Sequence, residues 1–141
     1  MTRVSFYTNV DHKSALVSHL VLKALNQKRQ VTIFTQEVDA SRISDQLWMH
    51  DQSSYIANVL ANDALASVTP VVIDWQMSTI FQDDVLINLQ ESQPTFFSRF
   101  RHLIEIVGLD EHDKATARMR YSFYRDRGYE IKHVDMLKQS I

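Results

Sequence analysis

Four side chains late in the sequence, Lys114, Arg118, Tyr121 and Arg125, follow one another at intervals of four, three and four residues. At ~100° per residue on a helix they share an arc of about 60°. Three cations and one aromatic ring on so narrow a strip are suited to binding an anion. Arginine grips a carboxylate through two parallel hydrogen bonds, lysine adds a point charge, and tyrosine offers a flat apolar wall. The chemistry indicated is recognition of an acidic peptide with an apolar or aromatic end. A basic helix face is more commonly a plain solvated surface, so the strip alone does not decide the matter.

Catalytic and metal-binding chemistry has weaker support. Asp83, Asp84, Asp110 and Asp113 could hold a divalent ion for phosphodiester cleavage, which makes a small metal-dependent nuclease the alternative reading. The plainer reading is that Asp110 caps a helix, Asp113 favours its positive end, and Asp83-Asp84 mark a turn. The six histidines, His12, His19, His50, His102, His112 and His133, lack the paired spacing of zinc ligands. There is no cysteine, hence no disulfide, thiolate metal site or cysteine nucleophile. No serine lies in a nucleophile-elbow sequence. The turn Thr8 to His12, where many α/β domains cradle a phosphate, has no glycine; the only glycines are Gly108 and Gly128. No catalytic residue, cofactor or metal is therefore expected.

The bulk properties narrow the class further. A length of 141 residues suits one domain over 1–141, with the tail from Leu137 (137–141) expected to fray. A net charge of −2 argues against strong direct DNA binding, because phosphate neutralisation supplies most of that affinity. No apolar run approaches the ~20 residues of a membrane span. Met1 to Tyr7 has no signal-peptide block and reads as the start of a strand, so a cytoplasmic location is expected.

The elements that must position these residues alternate. Val4 to Tyr7 is β-prone. Asp11 can cap a helix to about Lys28, with Leu16, Val17, Leu20, Val21, Ala24 and Leu25 as its buried stripe. Gln30 to Thr35 predicts a strand, and Val38 to Met49 a helix with Ile43 and Leu47 on one side. Residues 50–68 are irregular. Pro70 to Trp75, Val85 to Leu89 and Ile104 to Val107 predict strands, with a short helix from Phe96 to Phe100 between the last two. Leu109 to Arg127 predicts a long helix ended by Gly128 in the left-handed conformation, and Tyr129 to Val134 a last strand. On the long helix Thr116, Met119 and Phe123, with His112 and Arg120 at the edges, are expected to face the sheet. The alternation predicts an α/β fold: one mostly parallel sheet flanked by helices, like a nucleotide-binding fold without its phosphate loop.

Asp84 to Leu89, Phe96 to Phe100, Glu105 to Val107 and Ala117-Arg118-Met119-Arg120-Tyr121-Ser122-Phe123-Tyr124-Arg125-Asp126-Arg127-Gly128-Tyr129 together resemble the C-terminal half of the chi subunit family of bacterial DNA polymerase III. Phe6-Tyr7, Asp45-Gln46-Leu47-Trp48 and Ser54-Tyr55-Ile56 resemble its N-terminal half. The resemblance implies a non-catalytic adaptor in DNA replication. It pairs with the psi subunit, which leads to the clamp loader, and binds the acidic, phenylalanine-ended C-terminal tail of single-stranded-DNA-binding protein. Carried over by position, Val107, Lys114, Arg118 and Tyr121 form the tail pocket, with Arg118 on the terminal carboxylate. The family often has lysine where this chain has Ser122, and Arg125 is expected to replace that charge in part. Trp48 and Tyr55 match the surface for psi, a surface that in some bacteria also takes a repair helicase. Family grounds also imply a monomer that pairs one-to-one with psi.

Overall fold

The computed structural model describes residues 1–49, 56–77 and 79–138. Its strands are β1 (Arg3–Thr8), β2 (Val31–Phe34), β3 (Val59–Leu60), β4 (Val71–Asp74), β5 (Val85–Asn88), β6 (His102–Ile106) and β7 (Ile131–Asp135). Its helices are α1 (Lys13–Asn26), α2 (Glu37–Trp48) and α3 (Glu111–Asp126), with a 3-10 turn over Phe97–Arg99. The strands form one sheet in the order β3-β4-β2-β5-β6-β1-β7. Every pairing is parallel. The expected α/β architecture is therefore present.

Parallel strands are covered on both faces, which explains why β2, β4 and β5 read as nearly unbroken apolar runs. One face of the sheet packs Val31, Ile33, Ile73, Ile87, Ile104 and Ile106 against Leu16, Val17 and Val21 of α1 and Ile43 and Leu47 of α2. The opposite face packs Val4, Phe6, Leu86 and Leu103 against Phe97, Phe100, Ala117 and Tyr124. Alternate residues of β6 thus serve two different cores.

The structure corrects several local expectations. Helix α1 is capped by the backbone of His12, without a side-chain cap bond, and not by Asp11. It ends at Asn26, and Lys28 takes a left-handed φ of 59°. The irregular stretch contains β3, an edge strand of two residues, too short to carry a period. Only Phe97–Arg99 of the expected Phe96 to Phe100 helix is helical, as a single 3-10 turn. Gly128 has φ 83°, as the end of α3 required. Residues 139–141 of the expected frayed tail lie outside the described residues, while Leu137 donates its N–H to Asp135 at 3.0 Å.

The largest correction concerns the rotation of α3. Ala117, Arg120 and Tyr124 are its buried residues, whereas Met119 is 73% exposed and His112 is exposed. Hydropathy misplaced the stripe because the core beneath α3 is polar at its centre. Glu105 of β6 is fully buried there. Its carboxylate accepts from Arg120 Nε at 3.0 Å, Tyr124 Oη at 2.6 Å and Asn88 Nδ2 at 3.0 and 3.1 Å. Burial pushes the Glu105 carboxyl above its ordinary value, against the pull of the Arg120 charge and these donors. Arg120 Nη1 also donates to the Glu91 carbonyl at 2.7 Å.

Removing one member of a buried ion pair strands the other, at a cost of about 3–5 kcal/mol. Arg120→Met is therefore expected to lower unfolding stability by roughly that amount in a urea titration. Adding Glu105→Gln should recover part of the loss; an equally unstable double variant would show that the pair is not what fails.

Candidate functional site

With Ala117, Arg120 and Tyr124 turned into the sheet, the neighbouring strip of α3 leans toward β7. Lys114, Arg118 and Tyr121 line one side of a groove of about 330 Å³. Phe6, Thr8 and Asn9 of the β1 end, Val107 after β6, and His133 of β7 supply its floor and far wall. The β1–β7 register pairs Phe6 with His133 and Thr8 with Asp135, so Phe6 and His133 stand side by side on the α3 face. The Tyr121 ring meets Phe6 edge-on, with centroids 5.4 Å apart, and remains 37% exposed. Phe6, Val107 and Ala117 are buried and give the groove an apolar bottom.

Two cations stand over that bottom. Lys114 is half-buried and Arg118 is exposed. Among the described residues, neither forms an ion pair with a carboxylate of the chain. The groove can thus accept an apolar side chain below and an anionic group above. Arg125 is not among its lining residues; it pairs with Asp126 at 3.3 Å, in an exposed position. Ser122 is half-buried and also stands outside the lining.

A second site was a candidate on fold grounds. The chain leaves β1 toward the α1 face and β6 toward the α3 face, and adjacent strands with divergent exits open a crevice at their carboxyl ends. In dinucleotide-binding domains a phosphate occupies that place, on a helix N-terminus. Here a carboxylate of the chain itself occupies it. Asp113 Oδ2 accepts from the Gly108 N–H at 2.6 Å and lies 2.7 Å from Lys13 Nζ. Partial burial pushes the Asp113 carboxyl upward, but the Lys13 ammonium and the Gly108 N–H together hold it below the ordinary value. A Cβ on Gly108 would stand 3.0 Å from Asp113 Oδ2 and 3.3 Å from Lys13 Cε, so glycine permits this approach. Asp110 caps the same helix by accepting from the Asp113 N–H at 2.8 Å.

The four aspartates of the nuclease reading do not converge. Asp83 and Asp84 precede β5 at the amino end of the sheet, while Asp110 and Asp113 follow β6 at the carboxyl end. Asp84 is held by Arg29 Nε at 3.0 Å and the Gln30 N–H at 3.0 Å, a long-range clasp where the sequence suggested only a turn. Among the described residues, no three His, Asp or Glu side chains are grouped to hold a metal ion. Trp48 ends α2 and is 44% exposed, with Met49 beside it at 78%. Tyr55 lies outside the described residues. Sequence reasoning missed Thr8 and His133, since only strand pairing brings residues 125 positions apart into one wall.

Comparison with known proteins places this geometry in context. The family model described as "DNA polymerase III chi subunit, HolC" matches residues 1–132. The chain is 33% identical over 96 residues to the DNA polymerase III subunit chi of Haemophilus influenzae, covering 67% of each chain. It is 29% identical over 141 residues to the subunit chi of Escherichia coli K12, covering 93% of this chain and 96% of that one. It is likewise 29% identical over 137 residues to the subunit chi of Pseudomonas aeruginosa, covering 94% and 95%.

The carboxylate clasp fixes the start of α3 and hence the position of Lys114. Asp113→Ala is expected to lower stability by about 1–2 kcal/mol, the worth of a charged hydrogen bond at a helix start. A shift in the urea midpoint corresponding to only a few tenths of a kcal/mol would show that the clasp does not hold the helix.

Proposed function

The chain belongs to the DNA polymerase III chi subunit family, and from that premise we propose that it is a non-catalytic adaptor of the replicative polymerase, joining the clamp loader to single-stranded-DNA-binding protein. The observation that carries the proposal is the pair of cations, Lys114 and Arg118, standing over the apolar bottom of the α3–β7 groove without a carboxylate partner among the described residues. An acidic tail ending in phenylalanine has the complementary chemistry. Its terminal ring fits against Tyr121, Val107 and Phe6, and its terminal carboxylate lies within the reach of Arg118. Lys114 adds attraction beside it. Arg125, further along α3, faces the acidic residues that precede the ring. The exposed cations also explain how such a tail is steered into place, an effect that falls with salt.

The second surface of the adaptor is the end of α2. An exposed tryptophan next to an exposed methionine is an anchor of the kind that protein interfaces favour. Trp48, with Tyr55, is assigned to the psi subunit, and in some bacteria to a repair helicase. The adaptor works in the cytoplasm, as one copy per psi, without strong DNA binding of its own; among the described residues, no helix is long and apolar enough to cross a membrane. The nuclease reading is not favoured, since its four aspartates sit at opposite ends of the sheet and three of them are held by partners within the chain.

Arg118→Ala is expected to weaken binding of an acidic, phenylalanine-ended peptide by roughly 2 kcal/mol or more in calorimetric titration, the usual loss for a charged hydrogen-bonding partner. Unchanged affinity would remove Arg118 from the site. Trp48→Ala should abolish capture of psi while leaving the peptide affinity intact. A folded variant that loses both activities would sink the two-surface arrangement.

A further inference from the structure

Facing Lys114 and Arg118 across the groove is a histidine that no family motif singled out. His133 projects from β7 into the lining, next to Phe6, and its Nε2 lies 2.7 Å from Thr8 Oγ1. We propose that His133 and Thr8 form a protonation-dependent donor pair that tightens the groove's hold on a partner's carboxylate as the pH falls. This inference rests on the acidic-tail reading of the groove and goes beyond it by assigning a specificity-determining residue and a pH response.

A neutral imidazole has one donor nitrogen and one acceptor nitrogen, and a hydroxyl has one proton to give. When Nε2 is the acceptor, the Thr8 hydroxyl spends its proton on the ring. When the ring is protonated both nitrogens donate, so Thr8 must accept from Nε2 and its own proton turns outward to the groove. Starting from the tautomer in which Nε2 accepts, one protonation event adds a positive charge to the wall and frees a hydroxyl donor, both favourable to a carboxylate. Histidine is the side chain whose charge changes near neutral pH.

The charges around the ring are mixed, and all of them bear on the response. Lys114 and Arg118 of α3 are the cations that share the groove with the ring. Tyr121, also on α3, contributes its ring to the same wall. The groove residues of β1, Phe6, Thr8 and Asn9, carry no charge. On β7 itself Asp135 lies within electrostatic range of His133 and is held below its ordinary value by Asn9 Nδ2 and the Leu137 N–H, so it remains an anion near the ring; Lys138 is the cation close to it. An arriving carboxylate offsets the charge of the two α3 cations and adds a second anion near the ring. Peptide binding and proton uptake are then linked. The arrangement also supplies, from the opposite wall, the cation missing at Ser122.

The test is calorimetric titration of the full chain with an acidic, phenylalanine-ended peptide at about pH 8 and about pH 6, bracketing histidine titration. Affinity should rise roughly two- to fivefold toward the lower pH, the scale of an exposed charge pair. His133→Gln, which retains a hydrogen-bonding amide without a titrating group, should bind at both pH values with the weaker affinity. His112→Gln, at the exposed start of α3 and paired with Glu91, should keep the wild-type pH dependence. An equal pH response in wild type and His133→Gln, or no response in wild type, overturns the proposal while leaving the groove assignment standing. Failure of wild type to bind the peptide at either pH, or equal binding of a peptide without its final phenylalanine, overturns the tail reading itself and this inference with it.

Discussion

The buried carboxylate of Glu105 governs the geometry of this molecule. An anion in the middle of an apolar layer must be surrounded by donors or it destabilises the fold. Asn88, Arg120 and Tyr124 supply them from two elements. Two of those donors sit on α3 one turn apart, so their demand fixes the rotation of the helix about its axis as well as its distance from the sheet. Every functional feature of α3 follows from that rotation. If the helix were turned by one residue, so that Met119 met the sheet in place of Arg120, Lys114, Arg118 and Tyr121 would no longer line a common groove with β7.

A second internal anion decides where the functional site is not. The crevice between the carboxyl ends of β1 and β6 has the topology of a phosphate site. Asp113 occupies it, neutralised by Lys13 and bound by the Gly108 backbone. The crevice is therefore filled by an ion pair of the chain's own, and the proposed recognition groove lies beside it, between α3 and the edge strand. Fold similarity to nucleotide-binding domains does not by itself carry nucleotide function, because the site, and not the architecture, determines the chemistry.

The two proposed surfaces sit on elements that share little. The groove is built by α3, β1, β6 and β7, over the core that contains Phe97, Phe100 and Tyr124. Trp48 belongs to α2, which packs on the opposite face of the sheet through Ile43 and Leu47. An adaptor benefits from such separation: a ligand on one face makes no contact with the other, so binding at the two sites is expected to be close to additive.

Much of the molecule was legible in the order of its residues. The parallel sheet was, because strands covered on both faces read as nearly unbroken apolar runs, as Val31 to Phe34, Val71 to Asp74 and Val85 to Asn88 do apart from Thr32, Asp74 and Asn88. The cationic strip of Lys114, Arg118 and Tyr121 was, because helical spacing places residues three and four apart on one side whatever the helix packs against. Tertiary structure alone decided which face of α3 is buried, since hydropathy ranks Arg120 as a surface residue and cannot know that Glu105 waits beneath it. It alone decided that Phe6 and Thr8 share a wall with His133, because strand register between distant segments is set by packing of the whole sheet and leaves no local trace.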